Sequence, residues 1–321
     1  MTVHEKEFGF SESDFDWERY ARVRPKYPQH LWNHILDHHR KHGNGKFEVA
    51  HDIGSGFGIV AENLLLPNFG HVFVSDPVSH NLDAAKFRLN KRSNKGKVKF
   101  HEAGAEDGSW LPSGQIDMVT AFECLHWSDS TKSMPAIASQ LRSGGTFAAL
   151  YYSPRPLIRN NRRADKAWTS IFEKFAQCCY ESNHTTVDFM AQCYDGLDGI
   201  VRLSTDKFKP GVLRQTINQP LLEESPYGGA RNPFQIGPRH SRGRFTTQVG
   251  PEDHVETIVD EDNWSQQVDA EWLKDFVKSL QPKLPLDRVV EEFKELDKAI
   301  EEEGGKTRAA WIVQITLATR R

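Results

Sequence analysis

Short apolar runs alternate with helix-like stretches from residue 46 to residue 152, and this alternation constrains the fold more than any other feature of the sequence. The runs are rich in β-branched and aromatic residues, as strands are. We predict strands at residues 47–52, 71–75, 97–102, 116–122 and 145–151. Strands that alternate with helices form βαβ units, so we expect an α/β fold with a doubly wound, mostly parallel sheet.

The second half of the chain is less regular. Residues 153 to 210 are predicted to be mostly helical, and two amphipathic helices are predicted near 268–280 and 286–302. The glycine-, proline- and arginine-rich stretch at 223–245 is predicted to be a long loop or insertion. The apolar run "AAWIVQITLAT" is predicted to be a strand that returns to the first sheet.

A glycine-rich turn follows the first predicted strand, in "HDIGSGFGIVAENLL" at residues 51–65. A dinucleotide fingerprint, G-x-G-x-x-G, would place its last glycine at Ile59, whose branched side chain disfavours NAD or FAD. The phosphate loop GxxxxGK[ST] is also absent from this turn. S-Adenosylmethionine is the remaining common ligand, because it carries an adenosine without phosphates.

Acidic residues follow the next two predicted strands. Asp76 ends the second strand, where a carboxylate can accept both hydroxyls of a ribose; the alternative is that it caps the helix beginning near Val78. Ala105 and Glu106 follow the third strand, where a small residue and an acid can face an adenine edge; the alternative is a solvated loop.

Composition narrows the classes of partner. The formal charge of −3 is spread along the chain, so neither a nucleic-acid-binding arm nor a polybasic membrane patch is indicated. No run approaches the about 18 apolar residues that span a bilayer, and the N-terminus lacks an apolar export segment, so we expect a cytoplasmic protein with no membrane or nucleic-acid partner. The cysteines lack a C-x-x-C pair, so reduced thiols are expected at Cys124, Cys178, Cys179 and Cys193.

A histidine series in "HLWNHILDHHRKH" has the spacing of one helical face. Imidazoles at i and i+4 can chelate zinc, and His30, His34 and His38 have this spacing. No cysteine or carboxylate completes the pattern, so we favour a solvated helix face and predict no metal site.

Four strings together resemble the class I S-adenosylmethionine-dependent methyltransferases, and within them the fungal trans-aconitate methyltransferase-like branch: "FDWERYARVRPKYPQHLW", "HDIGSGFGIVAENL", "IDMVTAFECLHWSD" and "TRAAWIVQITLATRR". The resemblance covers about residues 10–152 and the final 55 residues. It implies a seven-stranded, Rossmann-like sheet with a mainly helical cap. It also implies four segments: a lid with helices (1–45), the cofactor-binding core (46–152), a substrate cap (153–265), and C-terminal helices with a returning strand (266–321).

The resemblance also implies roles for individual residues. The glycine turn would hold the methionine tail, Asp76 the ribose and Glu106 the adenine, while Tyr20 and Arg24 would close on the cofactor carboxylate; the alternative for Arg24 is a surface arginine. The implied cofactor-binding residues are Tyr20, Arg24, Asp52, Gly54, Ser55, Gly56, Gly58, Asp76, Ala105, Glu106 and Phe122.

Two sets of residues are candidates for acceptor chemistry. His126, after the fourth strand, can take a proton from a hydroxyl or thiol; alternatively it is packed and bonded to backbone. Arg155 and Arg159, after the fifth strand, can clamp a carboxylate that needs no base; alternatively they form a solvated basic face. The sequence leaves these choices open.

The predicted function is methyl transfer from S-adenosylmethionine to an oxygen (carboxylate or hydroxyl) or sulfur atom of a small-molecule acceptor of secondary metabolism, with S-adenosylhomocysteine as the other product. One alternative uses the bound cofactor for a non-methylating rearrangement, and another is a non-catalytic nucleoside-binding protein. A monomer or homodimer is expected.

Overall fold

The computed structural model describes residues 15–90, 96–182, 206–221, 250–280 and 286–321. In these ranges the strands are β1 (Val49–Ile53), β2 (His71–Asp76), β3 (Val98–Glu102), β4 (Ile116–Phe122), β5 (Leu141–Tyr152), β6 (Leu157–Arg159), β7 (Leu213–Ile217), β8 (His254–Ile258), β9 (Ser265–Val268), β10 (Thr307–Ala310) and β11 (Val313–Thr319). The predicted stretch at 223–245 and the first 14 residues lie outside the described residues, as do Cys193 and the side chains of Cys178 and Cys179.

The helices in the same ranges are α1 (Trp17–Val23), α2 (Gln29–His42), α3 (Leu66–Asn68), α4 (Ser79–Asn90), α5 (Ser130–Gln140), α6 (Arg162–Ser182), α7 (Ala270–Leu280) and α8 (Val290–Glu302). A π-helical turn, Ala61–Leu65, leads into α3, and 3₁₀ turns cover Leu125–Trp127 and Leu286–Val289. The helices predicted near 268–280 and 286–302 are therefore confirmed. Among the described helices, none is both long and apolar enough to cross a bilayer.

The main sheet has the order β3-β2-β1-β4-β5-β11-β7-β8. Strands β1 to β5 are parallel, and β11 lies antiparallel between β5 and β7. The doubly wound α/β class and the returning strand are thus confirmed. The sheet has eight strands rather than seven, because β8 pairs in parallel with β7 at the edge.

Two strands of the predicted cap segment, 153–265, belong to the main sheet. These are β7 and β8, whose residues alternate little between polar and apolar and so give no strand signal in the sequence. A second sheet, ordered β6-β10-β9, forms beside the first, and Arg308 pairs with Arg159 in its register. The chain after β5 therefore turns into this second sheet.

The chain order of the strands creates a switch point beside β1. From β1 the chain moves outward to β2 and β3, then returns to β4 on the other side of β1. A crevice forms where the winding reverses, at the carboxyl ends of the strands. Below it, the sheet is closed by side chains with no solvent exposure, such as Val74, Val119 and Phe147.

Candidate active site

A cavity of about 240 Å³ lies at the carboxyl ends of β1, β2, β4 and β5. One wall comes from the glycine turn, Asp76, Ala105 and Glu106. A second wall comes from the residues after β4 and from the end of β5, and residues of the segment 17–27 also line the cavity. The sequence-predicted residues that line it are Tyr20, Arg24, Asp52, Gly54, Ser55, Gly56, Asp76, Ala105, Glu106, Phe122 and His126.

The glycine turn has a backbone that requires glycine at two cavity-lining positions. Gly54 and Gly56 have φ values of 57° and 52°, which residues with a Cβ rarely adopt. A Cβ on Gly54 would collide with Cys124, and one on Gly56 would lie 3.1 Å from the ring of Trp17. The turn therefore presents bare backbone to the cavity.

Asp76 ties the glycine turn to the next helix. Its Oδ2 accepts from the Gly56 N–H at 2.9 Å, while its Oδ1 accepts from the N–H of Val78 and the amide of Asn81, both at 3.0 Å. Burial raises the pKa of this carboxyl. Asp76 is thus a cap, as the alternative held, and it also lines the cavity wall where a ribose is expected.

Asp52 joins three elements beneath the cavity. Its Oδ1 accepts from Thr120 Oγ1 at 2.7 Å and its Oδ2 from the N–H of Ala61 at 3.2 Å. Burial raises the pKa of Asp52 to about 7, although both hydrogen bonds oppose the shift. The carboxyl therefore keeps its proton to a higher pH than an exposed aspartate does.

The segment around α1 covers one side of the cavity. Trp17 stacks on Phe57 with ring centroids 5.2 Å apart, and the Arg24 guanidinium lies 4.5 Å from the centroid of Tyr20. Arg24 also donates to the carbonyl of Ser279 at 2.8 Å. Burial alone would lower the pKa of Arg24, but Tyr152 and its neighbours raise it, so the guanidinium stays charged. Arg24 is a buried cation in the wall and not a surface arginine.

Glu106, which follows β3, and Phe122, at the end of β4, also line the cavity. The Glu106 Oε1 accepts from the N–H of Asp129 at 2.7 Å, which orients this carboxylate toward the start of α5. Phe122 is 6 % exposed and packs 5.5 Å from Tyr27, centroid to centroid. Glu106 therefore holds a defined position beside Ala105 rather than lying in a solvated loop.

Glu123 lines the cavity and was missed by the sequence reasoning. It follows β4 directly and has a φ of 55°, which is uncommon for a residue with a Cβ, and strained backbone of this kind recurs at active sites. Its Oε1 accepts from the N–H of Tyr152 at 2.6 Å, and burial raises its pKa to about 8. The string "ECLHW" contained this residue, but neither its backbone conformation nor its burial is visible in the sequence.

His126 lies in the 3₁₀ turn after Glu123 and is 6 % exposed. Its ring packs 5.1 Å from Tyr151 and 4.8 Å from Trp127, centroid to centroid. Burial, with Arg24 nearby, lowers its pKa to about 3. The imidazole is therefore neutral at ordinary pH and a weak base.

Three predicted site residues lie outside the cavity lining. A Cβ on Gly58 would contact Leu89 at 3.2 Å, so this glycine permits close packing on α4. Arg155 is buried and donates to Thr169 Oγ1 at 3.0 Å. Arg159 pairs with Glu261 at 3.2 Å in the second sheet. The arginine clamp stays a prediction, and in the described structure both arginines are bonded to residues outside the cavity lining.

The histidine face of α2 is engaged with other parts of the chain. His30 pairs with Asp260 at 3.0 Å, and burial lowers the pKa of His38 to about 4. Over the described ranges, no group of three or more metal-ligating side chains is placed to hold an ion.

Comparison with known proteins gives matches over the core and over the whole chain. A family model described as a methyltransferase domain matches residues 51–149. Methyltransferase gedG of Aspergillus terreus is 30% identical over 328 residues, covering 100% of this chain and 95% of that protein. Methyltransferase AacuQ of Aspergillus aculeatus is 30% identical over 317 residues, covering 97% and 95%, and methyltransferase tpcM of Aspergillus fumigatus is 27% identical over 334 residues, covering 99% and 96%. The chain belongs to the class I S-adenosylmethionine-dependent methyltransferases.

The cavity of this methyltransferase fits its cofactor chemically. Ser55 Oγ and Asn81 Oδ1 are buried in the wall and, within the described part of the chain, have no hydrogen-bond partner, as expected where a ligand with hydroxyl and amino groups binds. Arg24 offers a charged guanidinium to a carboxylate, and Asp52, Asp76 and Glu123 offer carboxyl groups to a cation.

Proposed function

We propose that this methyltransferase transfers the methyl group of S-adenosylmethionine to an oxygen or sulfur atom of a small molecule of secondary metabolism. One observation carries the proposal: the same cavity is lined by the glycine turn and Asp76 and by Glu123, His126 and Tyr152. In this proposal the first set holds the cofactor and the second set faces the acceptor.

The cofactor binding that we propose uses both walls. Asp76 accepts from the ribose hydroxyls, Ala105 and Glu106 face the adenine, and the backbone of Gly54 to Gly56 lies along the methionine tail. Arg24 holds the carboxylate of that tail. These assignments use the buried acceptors and the charged guanidinium described above.

The bound cofactor supplies a methyl group activated by a positively charged sulfur. The protein's own contribution is to align an acceptor atom with that methyl group and to exclude water. The rings of Tyr27, Phe122 and Trp127 enclose this end of the cavity. Arg24, which we assign to the cofactor, and the exposed Lys26 are the charged basic residues of the described lining. No buried cation of this lining is then left for a carboxylate, so a neutral hydroxyl or thiol suits the acceptor wall better.

The test uses S-adenosylmethionine with a deuterated methyl group and a panel of small phenols, aliphatic alcohols, thiols and carboxylic acids, together with a fungal metabolite extract. We expect a product that carries the label, detected by mass spectrometry, in step with formation of S-adenosylhomocysteine. Consumption of a substrate without transfer of label would favour the rearrangement alternative. Tight cofactor binding without any conversion would favour a nucleoside-binding protein.

A further inference from the structure

Glu123 is held in a strained position by two hydrogen bonds to the neighbouring strand β5. Its positive φ turns the chain sharply after β4, its N–H donates to the carbonyl of Leu150 at 3.1 Å, and its Oε1 accepts from the N–H of Tyr152. Such strain persists where the surrounding structure fixes it. Within the described residues Oε2 accepts no hydrogen bond, and Glu123 lines the cavity, so this oxygen is available to a ligand.

Most of the ionisable groups near Glu123 keep one protonation state near neutral pH. Arg24 at the end of α1 is charged, and burial raises the pKa values of Tyr27, before α2, and of Tyr152, on β5, well above their usual range. Burial likewise raises the pKa of Cys124. These phenols and the thiol are therefore neutral, and Arg24 keeps its charge. Asp52, the other carboxyl near its pKa, has both oxygens bonded to neighbouring elements.

We propose that Glu123 keeps the charge of this cavity constant through a reaction cycle, losing a proton when cationic S-adenosylmethionine binds and accepting the acceptor's proton during methyl transfer. The proposal rests on the proposed function with a hydroxyl or thiol acceptor. Glu123 directly precedes Cys124, which packs against Gly54 in the turn that we assign to the methionine tail, and both Glu123 and this turn line the cavity.

The step balances in atoms and charge. The acceptor oxygen or sulfur forms a bond to the methyl carbon, and the bond from that carbon to the cofactor sulfur breaks with its electron pair left on sulfur. The acceptor's proton passes to Glu123 Oε2. A cation and a carboxylate are thereby replaced by a neutral thioether and a neutral carboxyl, so no net charge is created or buried in the cavity. His126, with a pKa of about 3, would hold that proton far less well.

The test measures proton release by isothermal titration calorimetry in two buffers of different ionisation enthalpy at neutral pH. The probes are S-adenosylmethionine and S-adenosylhomocysteine, which differ by the methyl group and one positive charge. We expect wild-type protein to release about one proton more with S-adenosylmethionine than with S-adenosylhomocysteine. In Glu123→Gln this difference should vanish.

A matched variant completes the design. Glu102→Gln removes an exposed carboxylate at the end of β3, outside the cavity lining. This variant should keep the difference between the two ligands. A wild-type protein that releases equal numbers of protons with both, or a Glu123→Gln protein that keeps the difference, would overturn the proposal. Failure of folded wild type to bind either ligand would instead count against the proposed function.

A wild-type measurement covers the case in which Glu123→Gln does not fold. As the pH is raised toward the pKa of Glu123, the affinity for S-adenosylmethionine relative to that for S-adenosylhomocysteine should increase about tenfold per pH unit. A ratio that does not change with pH would overturn the proposal without any variant.

Discussion

The two carboxylate oxygens of Asp76 accept hydrogen bonds from the glycine turn and from the region where α4 begins. Replacing Asp76 should therefore affect both cofactor binding and stability. Asp76→Ala removes the tie to Gly56 and, in our assignment, the acceptor of the ribose hydroxyls. We expect S-adenosylmethionine binding to weaken by about 1.5 to 3 kcal/mol, measured by calorimetry, together with a lower melting temperature. Asp83→Asn, an exposed carboxylate on α4, is the control that should change neither. An unchanged dissociation constant in Asp76→Ala would leave Asp76 as a cap only.

His126 should matter for packing rather than for proton transfer. Because its pKa is about 3, the neutral imidazole is a poor proton acceptor near neutral pH. We expect His126→Asn to lower the melting temperature while the single-turnover rate keeps its wild-type dependence on pH, once an acceptor is in hand. Loss of that pH dependence in folded His126→Asn would make the histidine the base.

Sequence reasoning identified residues whose position follows from the order of strands. Asp52 and Asp76 lie at the carboxyl ends of parallel strands and Glu106 follows one, and these ends meet at one edge, so the convergence of the three residues in one cavity could be predicted. The presence of Glu123 in the lining could not, because its signal is a positive φ and burial. The ion pair of Arg159 with Glu261 could not be foreseen either, because the direction of the chain after β5 depends on pairing with a strand about 150 residues later.

At the scale of elements, the glycine turn can be tested with a pair of matched substitutions. Gly54 and Gly45 both have positive φ, 57° and 64°, but a Cβ on Gly45 would have no neighbour within 4 Å. Gly45→Ala should therefore cost only the backbone strain, about 1 kcal/mol. Gly54→Ala also collides with Cys124, so we expect a larger loss of stability by denaturant unfolding and a loss of cofactor binding. Equal losses of stability in the two variants would show that the glycine turn can shift to make room for a Cβ at position 54.

The segment around α1 should become more protected when cofactor binds. It is held to α7 by the ion pair of Arg22 with Asp275 at 2.7 Å and to the turn by Trp17, and in our proposal Arg24 contacts the cofactor. We expect amide hydrogen exchange of residues 15–24 to slow on adding S-adenosylhomocysteine, with α8 as the unaffected reference. Equal exchange with and without ligand would contradict a lid. The predicted lid also included residues 1–14, which lie outside the described residues.

Strands and helices with a regular pattern of apolar residues could be predicted from the sequence, whereas short polar strands could not. The strands of the core and the amphipathic helices α7 and α8 match their apolar patterns. Strands β7, "LRQTI", and β9, "SQQV", are four or five residues long and largely polar. Their strand conformation is set by distant partners, β11 for the first and β10 for the second.

For the whole molecule, the buried carboxyl groups predict how stability depends on pH without cofactor. Asp52 and Glu123 have pKa values of about 7 and 8 in the folded protein but near 4 when unfolded. Between the unfolded and the folded pKa of each group, the folded protein therefore binds more protons than the unfolded chain. Stability is therefore expected to fall as the pH rises, by roughly 1 kcal/mol per group and pH unit until each folded pKa is passed.

Urea unfolding of cofactor-free protein from pH 7 to 8 checks this. In this window His38, His51 and His126 are neutral in the folded state because their pKa values are lowered, and they are mostly neutral in the unfolded state, where their pKa is about 6.5. Glu123→Gln should show a shallower decline than wild type, and Glu102→Gln the same decline. A stability that rises over this window would contradict the protonated carboxyl groups.

The placement of β11 inside the main sheet has a consequence for synthesis on the ribosome. Tyr152 of β5 pairs with Val313 of β11, and β7, made earlier than β11, reaches the sheet only through it. A nascent chain that has emerged only as far as β8 can build the β1–β5 half with its glycine turn, while β5 keeps an open edge. Such long-range pairing forms slowly, and an open edge invites pairing with other chains. The half of the sheet that carries the glycine turn is thus exposed to misassembly until the strand that protects it has been translated, which gives chaperones a defined interval in which to act.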